Sequence, residues 1–134
     1  MIGLLLITHD SLGESLLQCA CHVLDQRPPQ IAPLGIRGAD DPLVILPRAR
    51  GLMQAVDTGR GVLLLTDIFG ATPCNIAQKL LQPGRVEGIA GVSLPMLLRA
   101  LTYRDKDMET LVAKTLAGGR DSVMPLKGTT HAAG

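Results

Sequence analysis

The chain of 134 residues is 46% hydrophobic and 19% charged, and its 13 basic side chains nearly balance its 12 acidic ones. This composition excludes a disordered chain, and the near-zero net charge argues against a dedicated nucleic-acid or anionic-membrane binder. With one Tyr, one Phe and no Trp, the chain also lacks the aromatic surface that base stacking needs. The length predicts a single domain over residues 1–134.

The cysteine count and the amino terminus indicate the cellular compartment. Three cysteines, an odd number, argue against a disulfide framework and favour a reducing environment. The first residues lack the basic and apolar regions of a secretory signal, and no apolar run approaches the length of a membrane span. We therefore expect a cytoplasmic protein without direct membrane insertion.

Short apolar runs predict the strands. These strands are expected over 2–8, 31–36, 61–66 and 86–92, with a short final strand over 122–127. The first and third runs are almost continuously apolar, which is typical of strands covered on both faces in a parallel sheet. The small, polar residues 128–134 are expected to form a frayed tail.

Helical patterns separate these strands. The helices are predicted from about residue 11 to the prolines at 28 and 29, over about 41–57, over 72–82, and over about 95–117 with a break near Arg104. Ser11 and Glu14 have the spacing of a capping box. Thr72 before Pro73 predicts the N-cap of the third helix. The alternation of strands and helices predicts an α/β sandwich with a mainly parallel sheet.

Proline and glycine residues modify two of these helix predictions. Pro47 and Gly51 indicate an irregular or kinked second helix. Gly118-Gly119 predicts the end of the fourth helical region.

Polar residues follow the first and third strands. In an open α/β sheet, ligands bind beyond the carboxyl ends of the strands, and in the strand order 2-1-3-4 the first and third strands are neighbours. This topology would place His9 beside Asp67. A carboxylate that accepts one ring N–H fixes the tautomer of a histidine and leaves its other nitrogen free as a base, a metal ligand or a nucleophile.

The surroundings of His9 and Asp67 favour one of these roles. Helix starts near Ser11 and Thr72 offer backbone N–H groups to an anion, and Gly70 allows the backbone to approach a ligand closely. An anion cradle beside an oriented imidazole suits phosphoryl transfer to and from histidine.

Structural roles compete with this interpretation. A histidine at a strand end is more often structural, and Asp67 alone could be a turn residue. The convergence of both residues with two helix starts favours function.

The remaining candidates for chemistry are weaker. His22 lies within the first predicted helix and His131 within the tail. Cys19 and Cys21 point to different sides of a helix and form no metal pair, and Cys74 is expected to be a buried thiol. No metal-ligand cluster, dinucleotide fingerprint or phosphate-binding loop motif is present, so we expect neither a metal nor a cofactor.

Three segments in this order carry a family resemblance. They are an apolar first strand ending in Thr8-His9, GVLLLTDIFGATPCN over 61–75 and IAGVSLPMLLRAL over 89–101. Together they resemble the IIA component of the mannose/fructose/sorbose-type bacterial phosphoenolpyruvate-dependent phosphotransferase system, over almost the whole chain.

The resemblance implies a phosphoryl carrier. His9 would accept a phosphoryl group from the histidine phosphocarrier protein HPr and pass it to a IIB component, and Asp67 would hydrogen-bond the His9 ring. Phe69, Gly70 and Thr72 would line the phosphoryl pocket and the partner surface. Phe69 stands where some relatives have Trp, which bears on stacking and docking specificity.

The resemblance also implies a quaternary structure. The last strand, over 122–127, would be exchanged between the two subunits of a homodimer. The segment 93–96 would form the turn that the family has after the fourth strand.

Three other functions use the same residues differently. A regulatory protein would read out the phosphorylation state of His9 without sugar transport. A receiver-like domain would be phosphorylated on Asp67, but Asp10 is the single acidic residue near the first strand that could help to hold Mg²⁺. The third alternative is a non-catalytic small-ligand module, because fold does not determine function.

Overall fold

Strands and helices alternate along the chain as far as β4, and two helices end the fold. A computed structural model describes residues 1–129. The elements are β1 (Gly3–His9), α1 (Leu12–Leu24), β2 (Ile31–Ile36), α2 (Pro42–Val56), β3 (Val62–Thr66), α3 (Thr72–Leu80), β4 (Val86–Ala90), α4 (Leu94–Tyr103) and α5 (Met108–Asp121). The four central strands agree with the predicted runs to within two residues at each end.

The four strands form one parallel sheet in the order β2-β1-β3-β4. Leu4 of β1 lies in register with Ile31 of β2 on one side and with Leu63 of β3 on the other. The predicted α/β class, the parallel sheet and the strand order 2-1-3-4 are therefore confirmed. The carboxyl ends of β1 and β3 lie side by side, as the site prediction requires.

Alternate side chains of β1 and β3 enter two separate cores. Leu4, Leu6, Leu63 and Leu65 pack on the face covered by α1, α4 and α5. Their neighbours Leu5, Ile7, Val62 and Leu64 pack on the face covered by α2 and α3. All eight side chains are fully buried, and each stabilises the fold by about 1.5–3 kcal/mol. The three layers explain why these strands are apolar at every position.

Thr8 caps α1 in place of Ser11. The side chain of Ser11 makes no capping hydrogen bond. Instead, the Gly13 N–H donates to Oγ1 of the buried Thr8 at 2.8 Å. Only two residues connect β1 to α1, so the last inward-facing polar side chain of the strand reaches the first turn of the helix. The predicted capping box is therefore wrong.

Two other helix boundaries differ from prediction. Ala71, not Thr72, is the N-cap residue of α3, so Thr72 is the first residue of the helix. The helix α5 continues through Gly118 and Gly119 to Asp121. A Cβ at Gly118 would collide with Cβ of Arg99, and one at Gly119 would collide with Cε of Met96. These glycines therefore permit close packing of α5 on α4, and they do not end the helix.

The helix α2 is continuous through Pro47 and Gly51, and Asp41 caps it by accepting a hydrogen bond from the Leu43 N–H at 3.0 Å. The break near Arg104 is confirmed, because α4 ends at Tyr103 and α5 begins at Met108.

A buried arginine fastens the amino-terminal edge of the sheet. Arg104 is 3% exposed, and its guanidinium donates to the carbonyls of Ile2 at 3.0 Å, Pro29 at 2.7 Å and Gln30 at 2.5 Å. Burial lowers the pKa of Arg104, although a guanidinium remains protonated in proteins. The guanidinium thus links the starts of β1 and β2, at the end of the strands opposite to His9.

The segment after α5 forms no strand within the part of the chain that the structure describes. Residues 123–129 have no regular secondary structure, and Ser122 donates its hydroxyl to the Gly118 carbonyl at 2.6 Å. A strand needs a hydrogen-bonded neighbour, and residues 1–129 do not supply one to the segment. Pairing with a second subunit remains a prediction, and most of the predicted tail, residues 130–134, lies outside the described residues.

Within residues 1–129, no helix is both long and apolar enough to cross a bilayer.

Candidate active site

His9 is the last residue of β1, and its side chain is 48% exposed. The chain turns sharply after it, because Asp10 adopts a left-handed conformation with φ of 47°. The Asp10 N–H donates to the Ile36 carbonyl at 2.9 Å. A Cβ at Gly35 would collide with the Asp10 carbonyl. The glycine in β2 therefore permits the close backbone approach that fixes the turn beside His9.

Asp67 follows β3 and holds His9 through two hydrogen bonds. Its Oδ2 accepts from the His9 ring nitrogen Nδ1 at 2.8 Å and from the His9 backbone N–H at 3.1 Å. Its Oδ1 accepts from the Ile68 N–H at 3.2 Å. The Asp67 side chain is only 11% exposed. One carboxylate thus fixes both the ring and the main chain of the histidine.

The hydrogen bonds determine the charge of Asp67 and the tautomer of His9. Burial raises the pKa of Asp67. The hydrogen bonds from the ring and backbone of His9 lower it by more, so the resulting pKa lies below the ordinary 3.8. Asp67 is therefore ionised at neutral pH and can only accept hydrogen bonds. The proton of a neutral His9 must then lie on Nδ1, which leaves the lone pair of Nε2 free.

A cleft of about 320 Å³ opens beside His9. The loop between β2 and α2 forms one wall with Arg37 and Asp40, and the start of α3 forms another with Thr72 and Pro73. Ala71, the N-cap residue of α3, provides no side-chain hydrogen bond to the first helical turn. The positive end of the helix dipole is therefore available to an anion in the cleft.

The predicted site residues lie in two groups. His9 and Thr72 line the cleft and Asp67 hydrogen-bonds the His9 ring, whereas Phe69 and Gly70 belong to the connecting loop and do not line the cleft. Phe69 is 76% exposed, beside an Ile68 that is 56% exposed. Gly70 has φ of 88°, a conformation that favours glycine, and an added Cβ there would contact nothing. This loop presents an apolar surface next to the histidine.

The segment 93–96 has a structural role. The Ser93 side chain caps α4 by accepting from the Met96 N–H at 3.3 Å. No hydrogen bond joins Ser93 to His9 or Asp67 among residues 1–129.

The other reactive side chains lie away from the cleft. His22 is exposed on α1, and His131 lies outside the described residues. The prediction for Cys74 is confirmed, because its thiol is buried and free, whereas Cys19 is exposed. Within residues 1–129, no group of three or more His, Cys, Asp or Glu side chains could hold a metal ion.

Sequence reasoning missed Arg37 and Thr8. Arg37 lines the His9 cleft, and it follows the second apolar run directly. The rule that located Asp67, a polar residue after a strand of a parallel sheet, would also have located Arg37. The capping role of Thr8 had no such signal, because a threonine at a strand end has many uses.

Fold and site together define a parallel α/β domain that presents one oriented, solvent-exposed histidine at the carboxyl edge of its sheet. The family model described as the PTS system fructose IIA component matches residues 3–116. The chain therefore belongs to this family of phosphotransferase-system IIA components, as the resemblance in its sequence indicated.

Individual relatives agree with this assignment. The chain is 30% identical over 129 residues to the mannose-specific EIIAB component of the phosphotransferase system from Escherichia coli K12. The match covers 94% of this chain and 40% of that protein, so the chain spans less than half the length of this relative. The fold also resembles the mannose/sorbose-specific IIA subunit from Enterococcus faecalis, with a TM-score of 0.84, 20% identity and 96% of each chain covered.

A protein with a different description shares the fold. The sigma-54 interaction domain protein from Enterococcus faecalis aligns with a TM-score of 0.73 and 18% identity, over 90% of this chain and 91% of that one. This likeness concerns the fold alone.

Proposed function

We propose that this chain carries a phosphoryl group on Nε2 of His9, as a phosphotransferase component with a phosphohistidine intermediate. The observation that carries the proposal is the 2.8 Å hydrogen bond from His9 Nδ1 to Asp67 on a ring that is nearly half exposed. This bond occupies one ring nitrogen and leaves the other, with its lone pair, open to solvent. Asp67 itself is a poor acceptor, because it is largely buried and both of its oxygens accept hydrogen bonds.

The transfer step needs no proton donor or acceptor. The Nε2 lone pair of neutral His9 attacks the phosphorus of a phosphohistidine on the donor. The donor ring is protonated on its other nitrogen. The new N–P bond forms as the donor N–P bond breaks, and the donor leaves as a neutral imidazole with the bonding electron pair. The His9 ring then carries a positive charge, which the ionised Asp67 stabilises through Nδ1–H. Onward transfer to an acceptor histidine reverses the same steps.

The donor and acceptor that fit this chemistry are HPr and a IIB component. The family assignment supports these partners, and so does the mannose-specific relative, whose description joins A and B components. The exposed Ile68 and Phe69 beside the cleft, with Leu43 and Val44 at the start of α2, offer an apolar docking surface. The near-zero net charge suits transient docking in the cytoplasm without strong electrostatic steering.

We also propose a homodimer that exchanges residues 122–127 as an antiparallel strand. Val123, Met124 and Leu126 are 84%, 66% and 96% exposed in the single chain, and β4 is at an edge of the sheet. Pairing would bury the apolar segment and remove the open edge. Sedimentation analysis should give a dimer for the full chain and a monomer after truncation at Ser122. A truncated chain that stays dimeric would contradict strand exchange.

The second candidate, a regulatory protein without sugar transport, would use the same phosphohistidine. The shared fold of the sigma-54 interaction domain protein is compatible with it. The two functions differ in what happens to the phosphoryl group. A carrier passes the phosphoryl group to a IIB component within one catalytic cycle, whereas a regulator keeps the phosphoryl group while it binds its target.

Site mapping tests the proposed function. The chain is incubated with phosphoenolpyruvate, the general upstream phosphotransferase proteins and HPr, then digested at alkaline pH for mass spectrometry. We expect one phosphoryl group, on His9, that acid treatment removes. Phosphate on Asp67 or His22, or no uptake by a folded chain, would overturn the proposal. Addition of a IIB component should then discharge His9.

A further inference from the structure

Arg37 lies at the His9 cleft because of the register of the sheet. Ile36 of β2 pairs with His9 of β1, and neighbouring strands lie about 4.8 Å apart. Arg37 is the next residue. Its backbone N–H donates to Asp40 Oδ2 at 2.7 Å, and its carbonyl accepts from the Asp40 N–H at 3.0 Å. The main chain of Arg37 is therefore anchored beside the histidine.

The guanidinium of Arg37 is not used within the fold. Arg37 is exposed, and within residues 1–129 its side chain makes no hydrogen bond or ion pair. The guanidinium groups of Arg60, Arg85 and Arg104, in contrast, all bind backbone carbonyls. Arg37 therefore keeps a full positive charge and a planar set of donors available for a ligand.

Charged groups on several elements surround Arg37. It lines the His9 cleft and a neighbouring cleft of about 450 Å³. Asp40 belongs to both clefts, while Asp10, Glu14 and Arg48 line the neighbouring one. Arg37 and Asp40 line the His9 cleft and bring a guanidinium and a carboxylate to it, and the Asp67 carboxylate binds the His9 ring at Nδ1.

We propose that the Arg37 guanidinium binds the phosphoryl group on His9, offsetting its two negative charges and the repulsion from Asp40. This inference rests on the proposed function. A phosphoryl group on Nε2 would project into the cleft that Arg37 lines, and a guanidinium matches phosphoryl oxygens in a bidentate geometry. Arg37 would thus favour uptake of the phosphoryl group and hold its dianionic form.

A small-molecule donor tests this role without a protein partner. Phosphoramidate can phosphorylate Nε2 directly: the new N–P bond forms, the P–N bond of the donor breaks, and the nitrogen leaves as ammonia with the electron pair. We compare wild type, Arg37→Gln, Arg37→Lys and Arg48→Gln. Arg48 is the matched control, because it is an exposed arginine that lines only the neighbouring cleft.

Two readouts are expected to change in Arg37→Gln. Uptake from phosphoramidate should slow by about tenfold. The pH at which the phosphorylated His9 ring loses its Nδ1 proton, followed through the ³¹P chemical shift, should rise by about one unit, because a neighbouring positive charge has been removed. Arg37→Lys should fall between wild type and Arg37→Gln, because a lysine keeps the charge but loses the bidentate geometry. Arg48→Gln should match wild type.

The outcomes separate this inference from the proposed function. If folded wild type takes up no phosphoryl group from phosphoramidate or from HPr, the proposed function fails. If wild type is phosphorylated on His9 but Arg37→Gln matches it in rate and titration, only the role of Arg37 fails. Equal shifts in Arg37→Gln and Arg48→Gln would indicate a general field effect and would also overturn that role.

Discussion

His9→Gln is expected to abolish phosphoryl uptake from HPr, with a loss of more than about 10⁴-fold, as when other enzymes lose their nucleophile. Glutamine keeps a polar side chain of similar length but has no ring nitrogen with a free lone pair. The His9 side chain is 48% exposed and belongs to neither core, so the variant should fold. Transfer of ³²P from charged HPr measures the effect, and circular dichroism checks the fold.

His22→Gln is the matched control for this experiment. His22 is an exposed histidine on α1, away from the carboxyl edge of the sheet. We expect the control to be phosphorylated at the wild-type rate. Acid-labile phosphate that persists in folded His9→Gln, or that disappears in His22→Gln, would show that His9 is not the acceptor.

Asp67→Asn is expected to slow transfer by about 10²–10⁴-fold while the fold is retained. A neutral amide cannot stabilise the positive charge on the phosphorylated ring. It also cannot replace all the hydrogen bonds of the carboxylate. If the amide oxygen faces His9, the amide nitrogen meets the Ile68 N–H, and if the amide is reversed, its nitrogen meets the His9 backbone N–H. Single-turnover transfer from HPr measures the loss.

Asp10→Asn controls for the removal of a nearby negative charge. Asp10 adjoins His9 in sequence and is exposed, and asparagine tolerates its left-handed conformation. We expect its transfer rate to stay within a few-fold of wild type. Equal rates for Asp67→Asn and wild type would contradict an orienting role for Asp67.

The pKa of Asp67 predicts how this variant responds to pH. Because the folded state lowers that pKa below 3.8, the carboxylate adds stability that is fully present above pH 3.8. The added stability is lost as the pH falls through the lower folded-state value. The free energy of unfolding of wild type should therefore exceed that of Asp67→Asn at neutral pH, and the difference should narrow below pH 3.8. Urea titrations at several pH values measure it.

Apolar periodicity and the turn and helix-boundary residues in the sequence were sufficient to predict most of the fold. The apolar runs of β1 and β3 predicted strands covered on both faces, because only a layer of helices on each side can bury every residue of a strand. The pairing of His9 with Asp67 followed from strand order, since carboxyl ends of adjacent parallel strands meet at one edge. Both inferences depend on the order of strands and helices along the chain, which apolar runs and helix-start signals in the sequence indicate.

Local sequence rules failed where a residue of another element decides the outcome. Gly118 and Gly119 have the signature of a helix end, yet they lie inside α5 because Arg99 and Met96 of α4 occupy the space beside them. Ser11 has the signature of an N-cap, yet Thr8 from β1 binds the first turn. In both cases a neighbour brought close by folding supplied the contact.

The sequence by itself determined the class of fold and the family and predicted His9 as the reactive residue, because these depend on the order and spacing of residue types along the chain. Only the tertiary structure decided which ring nitrogen is free and which cation lines the cleft beside the histidine. Those features depend on the position of Asp67 Oδ2 between the ring and the backbone of His9, and on the register that brings Arg37 to the same cleft. Distances of a few ångströms between residues far apart in the chain set them, and no local pattern encodes such distances.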